Sequence, residues 1–205
     1  MSLRHALLAV LTAAPMSGYD LVKYFNGTVA FVWNAPPSQI YPELRRMAEE
    51  GLLDVEVVAR GQRASKRLYS ISENGLEELN RWANDVLPLQ PTRDPYRLKA
   101  AYMEWADIRE ARRQLEEHEH HYEYWLAQWR RLVDDIRARR VPLLRRRLEG
   151  RTEREQDEIV AFKLFAFEGE IAHAEAEIAW ARRGLGLLDE IETARESPRQ
   201  ADRAS

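Results

Sequence analysis

Pro37-Ser38-Gln39-Ile40-Tyr41-Pro42-Glu43-Leu44-Arg45-Arg46-Met47-Ala48-Glu49-Glu50-Gly51 opens with the chemistry of a helix start and closes on a glycine stop. Ile40, Leu44, Met47 and Ala48 recur at helical spacing and mark a buried face. Ser38, Gln39, Tyr41 and Arg45 lie near the beginning of the same helix. A helix that reads base edges must fit the major groove and present short polar or planar side chains near its N-terminus. There its backbone N–H groups and dipole also attract phosphate. These four residues meet that description. Pro42 is an anomaly, because a proline inside a helix removes a hydrogen bond and costs about 3 kcal/mol, and periodicity gives no reason for it.

Upstream, Leu3, Ala6, Leu7, Val10 and Leu11 predict a helix over residues 3–13, stopped by Pro15 and Ser17-Gly18. Ser17 and Asp20 have the spacing of a capping box, and Leu21, Val22, Tyr24 and Phe25 carry a second helix to Asn26-Gly27. Downstream the period changes. Leu53, Val55 and Val57 alternate with Asp54, Glu56 and Val58, a loop follows over residues 60–65, and Lys66 to Ile71 returns as a second strand. A lone hairpin is not stable, so it must lean on the preceding helices and on the helix that Ser72-Glu73-Asn74-Gly75 opens and Leu76, Leu79 and Trp82 continue. Three helices, a hairpin and a helix follow the winged helix-turn-helix order. Within residues 60–67, Arg60, Arg63, Lys66 and Arg67 give four positive charges and no negative one, although the chain as a whole carries −3.

Pro88, Pro91 and Pro95 mark a boundary, after which the chain reads as helical. Leu115, Tyr122, Trp129 and Ile136 repeat every seven residues. A later helix carries Leu164, Ile171, Ile178 and Leu185 on one row and Val160, Phe167, Ala174, Ala181 and Leu188 on another. Neither stripe can be buried by its own helix. The two pack on each other, on a second subunit, or on both, with Trp129, Leu164, Phe167, Ile171, Ala174 and Ile178 as the expected dimerisation residues. The expected organisation is a mainly α protein: a winged helix-turn-helix with a two-stranded wing at 1–88, a long-helix dimerisation and effector domain at 89–192, and a disordered polar tail at 193–205.

Composition excludes several classes. The 205 residues are 45% hydrophobic and 32% charged, and no apolar run approaches the roughly 20 residues that span a bilayer. The N-terminus lacks signal-peptide character, which predicts a cytoplasmic location. With no cysteine there is neither a disulfide nor a thiolate metal site. His118 and His121 share a helix face, but His173 is the sole obvious distant candidate for a third ligand, and no metal or other cofactor is expected. No nucleophile elbow, phosphate loop, dinucleotide fingerprint or zinc-protease motif is present, which argues against an enzyme.

Ser17-Gly18-Tyr19-Asp20, the segment from Pro37 to Met47, Glu50-Gly51-Leu52, and Tyr69-Ser70-Ile71-Ser72-Glu73-Asn74-Gly75 resemble the PadR family of transcriptional regulators. The resemblance covers residues 3 to about 87 and makes Pro42 a family feature. The helical half resembles, by pattern, the longer C-terminal domain of the branch related to virulence-activator regulators. Membership implies a homodimer on a palindromic operator of double-stranded DNA, contacted by Ser38, Gln39, Tyr41, Pro42, Arg45, Arg60, Arg63, Lys66 and Arg67. It implies repression relieved by a small aromatic compound such as a phenolic acid. Phe31, Trp33, Tyr96, Tyr102 and Trp105 are the expected lining of the effector pocket. The rival reading is a winged helix that binds protein, with a coiled-coil-like half that assembles a larger complex.

Overall fold

The computed structural model describes residues 3–25, 35–60, 64–87 and 93–201. The elements are α1 (Leu3–Leu11), β1 (Met16–Ser17), α2 (Gly18–Phe25), α3 (Pro37–Glu49), β2 (Leu53–Arg60), β3 (Ala64–Ile71), α4 (Glu73–Asn84), α5 (Pro95–Ala100), a 3-10 turn (Met103–Trp105), α6 (Ile108–Arg137), α7 (Pro142–Leu148) and α8 (Glu153–Ala201). Among them no helix is long and apolar enough to cross a membrane. The chain divides into two compact units, residues 1–88 with 140–152, and residues 89–139 with 153–205.

In the first unit the helical stripes meet as their periods predict. Leu7, Leu8 and Leu11 of α1, Leu21 and Phe25 of α2, and Ile40, Leu44 and Met47 of α3 are all buried with Leu53 and Tyr69 of the strands. Each such side chain stabilises the fold by about 1.5–3 kcal/mol. The expected two-stranded wing, β2 with β3, is joined by a third strand, in the order β1-β3-β2 and antiparallel throughout. Its third strand is Met16 and Ser17 paired with Tyr69 and Leu68, too short to show any alternation in sequence. Ser17 and Asp20 form the predicted box: Ser17 Oγ accepts from the Asp20 N–H at 3.2 Å, and Asp20 Oδ2 accepts from the Ser17 N–H at 3.3 Å and its hydroxyl at 2.6 Å. Pro37 begins α3, and Gly51, at φ +74°, follows its end, where the Leu52 N–H donates to the Met47 carbonyl.

The division of the chain differs from the expected single cut at residue 88. α7 belongs with the first unit: Leu144 and Leu148 are buried, and Leu143 packs against the winged-helix core. The tail also differs. α8 runs as helix through Thr193 to Ala201, where disorder was expected. Alanine, glutamate, arginine and glutamine dominate that segment and are strong helix formers, so low hydrophobicity alone misreads it.

In the second unit α6 and α8 lie antiparallel. Arg112 reaches Asp189, Glu123 meets Arg182, Arg130 meets Glu175, and Arg137 meets Glu168, so each step forward along α6 is a step back along α8. Trp129, Phe167, Ala174 and Ile178 are buried within this pair, and Leu164 and Ile171 are half-buried. The residues expected to join two subunits are therefore used inside one, because the two stripes satisfy each other.

Candidate nucleic-acid interface

α3 presents Ser38, Gln39, Tyr41, Pro42 and Arg45 on its exposed side, while Ile40, Leu44 and Met47 anchor the other side. The helix is held from below by its acidic residues. Glu43, nearly buried, pairs with Arg46 and with Arg4 of α1, and Glu50 takes Arg4 at 2.7 Å. Arg46 is thus occupied, whereas Arg45 makes no ion pair among the described residues. Tyr41 lies against the start of α2, and a Cβ added at Gly18 would meet its Cε1 at 2.5 Å. Only glycine there allows Tyr41 its position.

The wing divides its charges by face. Neighbouring residues of a strand point to opposite sides, so Lys66 and Arg67 cannot share a partner. Lys66 Nζ donates to Asp20 Oδ2 at 2.8 Å, and Arg67 is exposed with no ion pair among the described residues. The Lys66 ammonium and the Ser17 hydroxyl hold the Asp20 carboxyl below the usual carboxylate range. Lys66, expected as a DNA contact, pairs with Asp20 while its side chain stays partly exposed. Asp20, legible only as a helix cap, proves to fasten β3 to α2 across 46 positions, a pairing that no local pattern announces. Arg60 closes β2, but its side chain, like the whole of Arg63, lies outside the described residues.

Of the expected aromatic pocket, only three residues lie among the described ones. Phe31 and Trp33 lie outside the described residues. Tyr96 and Tyr102 are exposed, and Trp105 is 87% exposed. Tyr96 does touch the edge of His118, with ring centroids 4.8 Å apart.

The second unit instead buries a charged cluster. Arg97 Nη1 and Nη2 donate to both oxygens of Glu177, at 2.6 and 2.7 Å, and the Arg97 guanidinium lies over the Trp180 ring at 4.4 Å. His118 Nε2 lies 2.9 Å from Glu177 Oε2, which assigns the ring proton to that nitrogen. Arg97 first, and His118 after it, hold the Glu177 carboxyl below its ordinary value against the opposing effect of burial. Burial raises the Tyr122 hydroxyl, and Glu177 adds to it. His118 is thus occupied by Glu177 and cannot pair with His121. Among the described residues no three His, Cys, Asp or Glu gather into a group that could hold a metal. Next to Trp180 lies a groove of about 470 Å³ lined by Met103, Ile108, Leu115 and Leu188, with Arg183 and Arg195.

Comparison with known proteins supports the winged-helix reading. Residues 7–81 match the transcriptional regulator PadR-like family. The chain is 33% identical over 110 residues to the negative transcriptional regulator PadR of Bacillus subtilis (strain 168), a match spanning 53% of this chain and 60% of that protein. Crystal structures of Bacillus subtilis PadR in complex with operator DNA and with p-coumaric acid share its fold, with TM-scores of 0.70 and 0.61. Both are 22% identical and cover 91% of this chain and 98% of theirs. The Vibrio cholerae virulence activator AphA is similar at a TM-score of 0.67 and 23% identity, over 93% of this chain and 99% of its own. Over residues 7–81, somewhat more than a third of its length, this chain is similar to the PadR-like family of transcriptional regulators.

Proposed function

We propose that the chain is a sequence-specific DNA-binding regulator. It works in the cytoplasm as a homodimer, represses from a palindromic operator, and acts by binding rather than by catalysis, without a cofactor. The observation that carries this reading is the exposed side of α3, where Ser38, Gln39, Tyr41 and Arg45 face outward from a helix pinned by Glu43 and its two arginines. Arg67 on the wing adds an uncommitted positive charge suited to a phosphate. Residues 1–88 do the reading, and the helices after residue 89 set two recognition helices about 34 Å apart.

The dimer seam is assigned to the outer face of α8. Phe162, Phe165, Gly169, Ala172, Ala176 and Ala179 are exposed and follow steps of three and four, the spacing of a coiled-coil seam. Phe162 and Phe165 are 74% and 78% exposed, an apolar strip that a second copy of α8 would cover. The releasing ligand is proposed to be a small aromatic acid, the class bound by the Bacillus subtilis neighbour. The groove beside Trp180 offers it an apolar bed with Arg183 and Arg195, alongside one carboxylate, Glu104. Binding there would favour a dimer with misplaced recognition helices and lower operator affinity by its differential affinity for the two states.

The test is selection of binding sites from a random-sequence duplex library with the purified full chain. Titration of the recovered site then follows, with and without p-coumaric acid. Enrichment of a palindrome bound at about 10⁻⁸ M or tighter supports the reading. Failure to enrich any sequence, with no salt-sensitive retardation of DNA, would move the chain to the protein-binding alternative.

A further inference from the structure

α7 and its flanks carry charge that the rest of the molecule neutralises. Residues 140–152 hold Arg140, Arg145, Arg146, Arg147 and Arg151 against the single Glu149, a net +4 within a chain of net −3. Several arginines of α6 and α8 are matched. Arg112, Arg113, Arg130, Arg137 and Arg182 each reach a carboxylate across or along α6 and α8. Arg145 and Arg146 are exposed and pair with no carboxylate among the described residues, and the one side-chain bond of Arg145 runs to the Arg140 carbonyl at 3.4 Å. Arg147 is half-buried, its guanidinium lowered by burial and further by Arg151, with Tyr24 acting the other way. Three adjacent like charges on one short helix repel one another and would be stabilised by an external polyanion.

Placement narrows the polyanion. Leu143 seats α7 on the winged-helix core, against the same buried cluster on which Tyr24 of α2 packs. In a helix-turn-helix the helix before the recognition helix crosses the DNA backbone, and here that helix is α2. We infer that Arg145 and Arg146 form a second, sequence-independent contact to the DNA phosphates flanking the site that α3 reads. This inference rests on the DNA-binding reading above. It adds that the positive surface is supplied by a helix lying far downstream of the wing in sequence. The contact positions the protein and extends its footprint without choosing bases.

The experiment titrates full-length protein and the Arg145→Gln/Arg146→Gln variant against two labelled duplexes across a salt series. One duplex carries the selected site with about ten base pairs on each side, and the other is trimmed to the site itself. Glutamine keeps helix propensity, and unchanged circular dichroism shows that the variant is folded. The expected result is a roughly tenfold loss of affinity on the flanked duplex, with the log–log salt slope reduced by about 1.8 for two phosphates, and no change on the trimmed one. Equal affinity and slope on the flanked duplex, with Arg67→Gln still weakening both, would overturn the flanking contact while leaving the DNA-binding reading intact. A loss of the same size on the trimmed duplex would place the arginines within the site and overturn the flank assignment. If the parent protein binds neither duplex, the DNA-binding reading itself fails.

Discussion

Replacing Glu177 by glutamine should cost the second unit about 2 kcal/mol at neutral pH. The carboxylate accepts a bidentate pair from Arg97 and a bond from His118, with Glu177 and His118 side chains only 6% and 3% exposed. A bond to a charged group contributes about 1.5–3 kcal/mol and a neutral one about 0.5–1.5, so three downgraded bonds set an upper bound near 3–4 kcal/mol. Arg97 is 41% exposed and retains Asp94 at 3.2 Å, so it is partly rehydrated once Glu177 is neutral, which reduces the figure to about 2 kcal/mol. For a chain of this size that is a fall in Tm of about 4–8 °C. Urea denaturation followed by circular dichroism reads it directly.

The pH dependence has a definite sign. Glu177 is lowered in the folded state, so the unfolded chain takes up its proton first on acidification. The stability that Glu177 supplies is therefore complete above its unfolded value of about 4.5 and is lost as pH falls through the lower folded value. The parent and the variant should differ fully at neutral pH and converge below about pH 4.5. A neutral-pH difference under about 0.5 kcal/mol, or one that widens in acid, would refute the reasoning.

Three further outcomes follow from the geometry. Gly75→Ala places a Cβ against the Leu52 carbonyl and 2.9 Å from Ile71 Cγ1, so it should destabilise the winged helix by about 1–3 kcal/mol in a urea melt. A gain of about 1 kcal/mol, as helix propensity alone would give, would show that the space is not closed. Pro42→Ala should raise thermal stability by restoring a helical donor while weakening operator binding in an anisotropy titration; a lower Tm would mean that the proline supports the fold. Phe162→Asp with Phe165→Asp should convert the proposed dimer to a folded monomer in sedimentation, with operator affinity falling alongside. An intact dimer would exclude the outer face of α8 as its seam.

The winged helix was legible because its signals are local. The α3 stripe, the β2–β3 hairpin and the Ser17–Asp20 spacing each report on a few neighbouring residues, and each reappears in the structure, although Val55 and Val57 of β2 are exposed rather than turned inward. Local signals could not reach Lys66, whose charge reads as available until Asp20 is found beside it. Nor could they attach α7 to the first unit, because a seven-residue helix between two long ones carries no mark of its partner.

The heptad rows of α6 and α8 separate the two kinds of information most clearly. Periodicity identified Trp129, Phe167, Ala174 and Ile178 as apolar positions that must be covered, and they are. It did not identify what covers them, since an intramolecular helix and a second subunit demand the same pattern. The sequence by itself determined which side of α1, α2, α3, α6 and α8 turns from water. Only the tertiary structure decided which surface it meets, because a hydrophobic stripe is non-directional and its partner is chosen by the path of the whole chain.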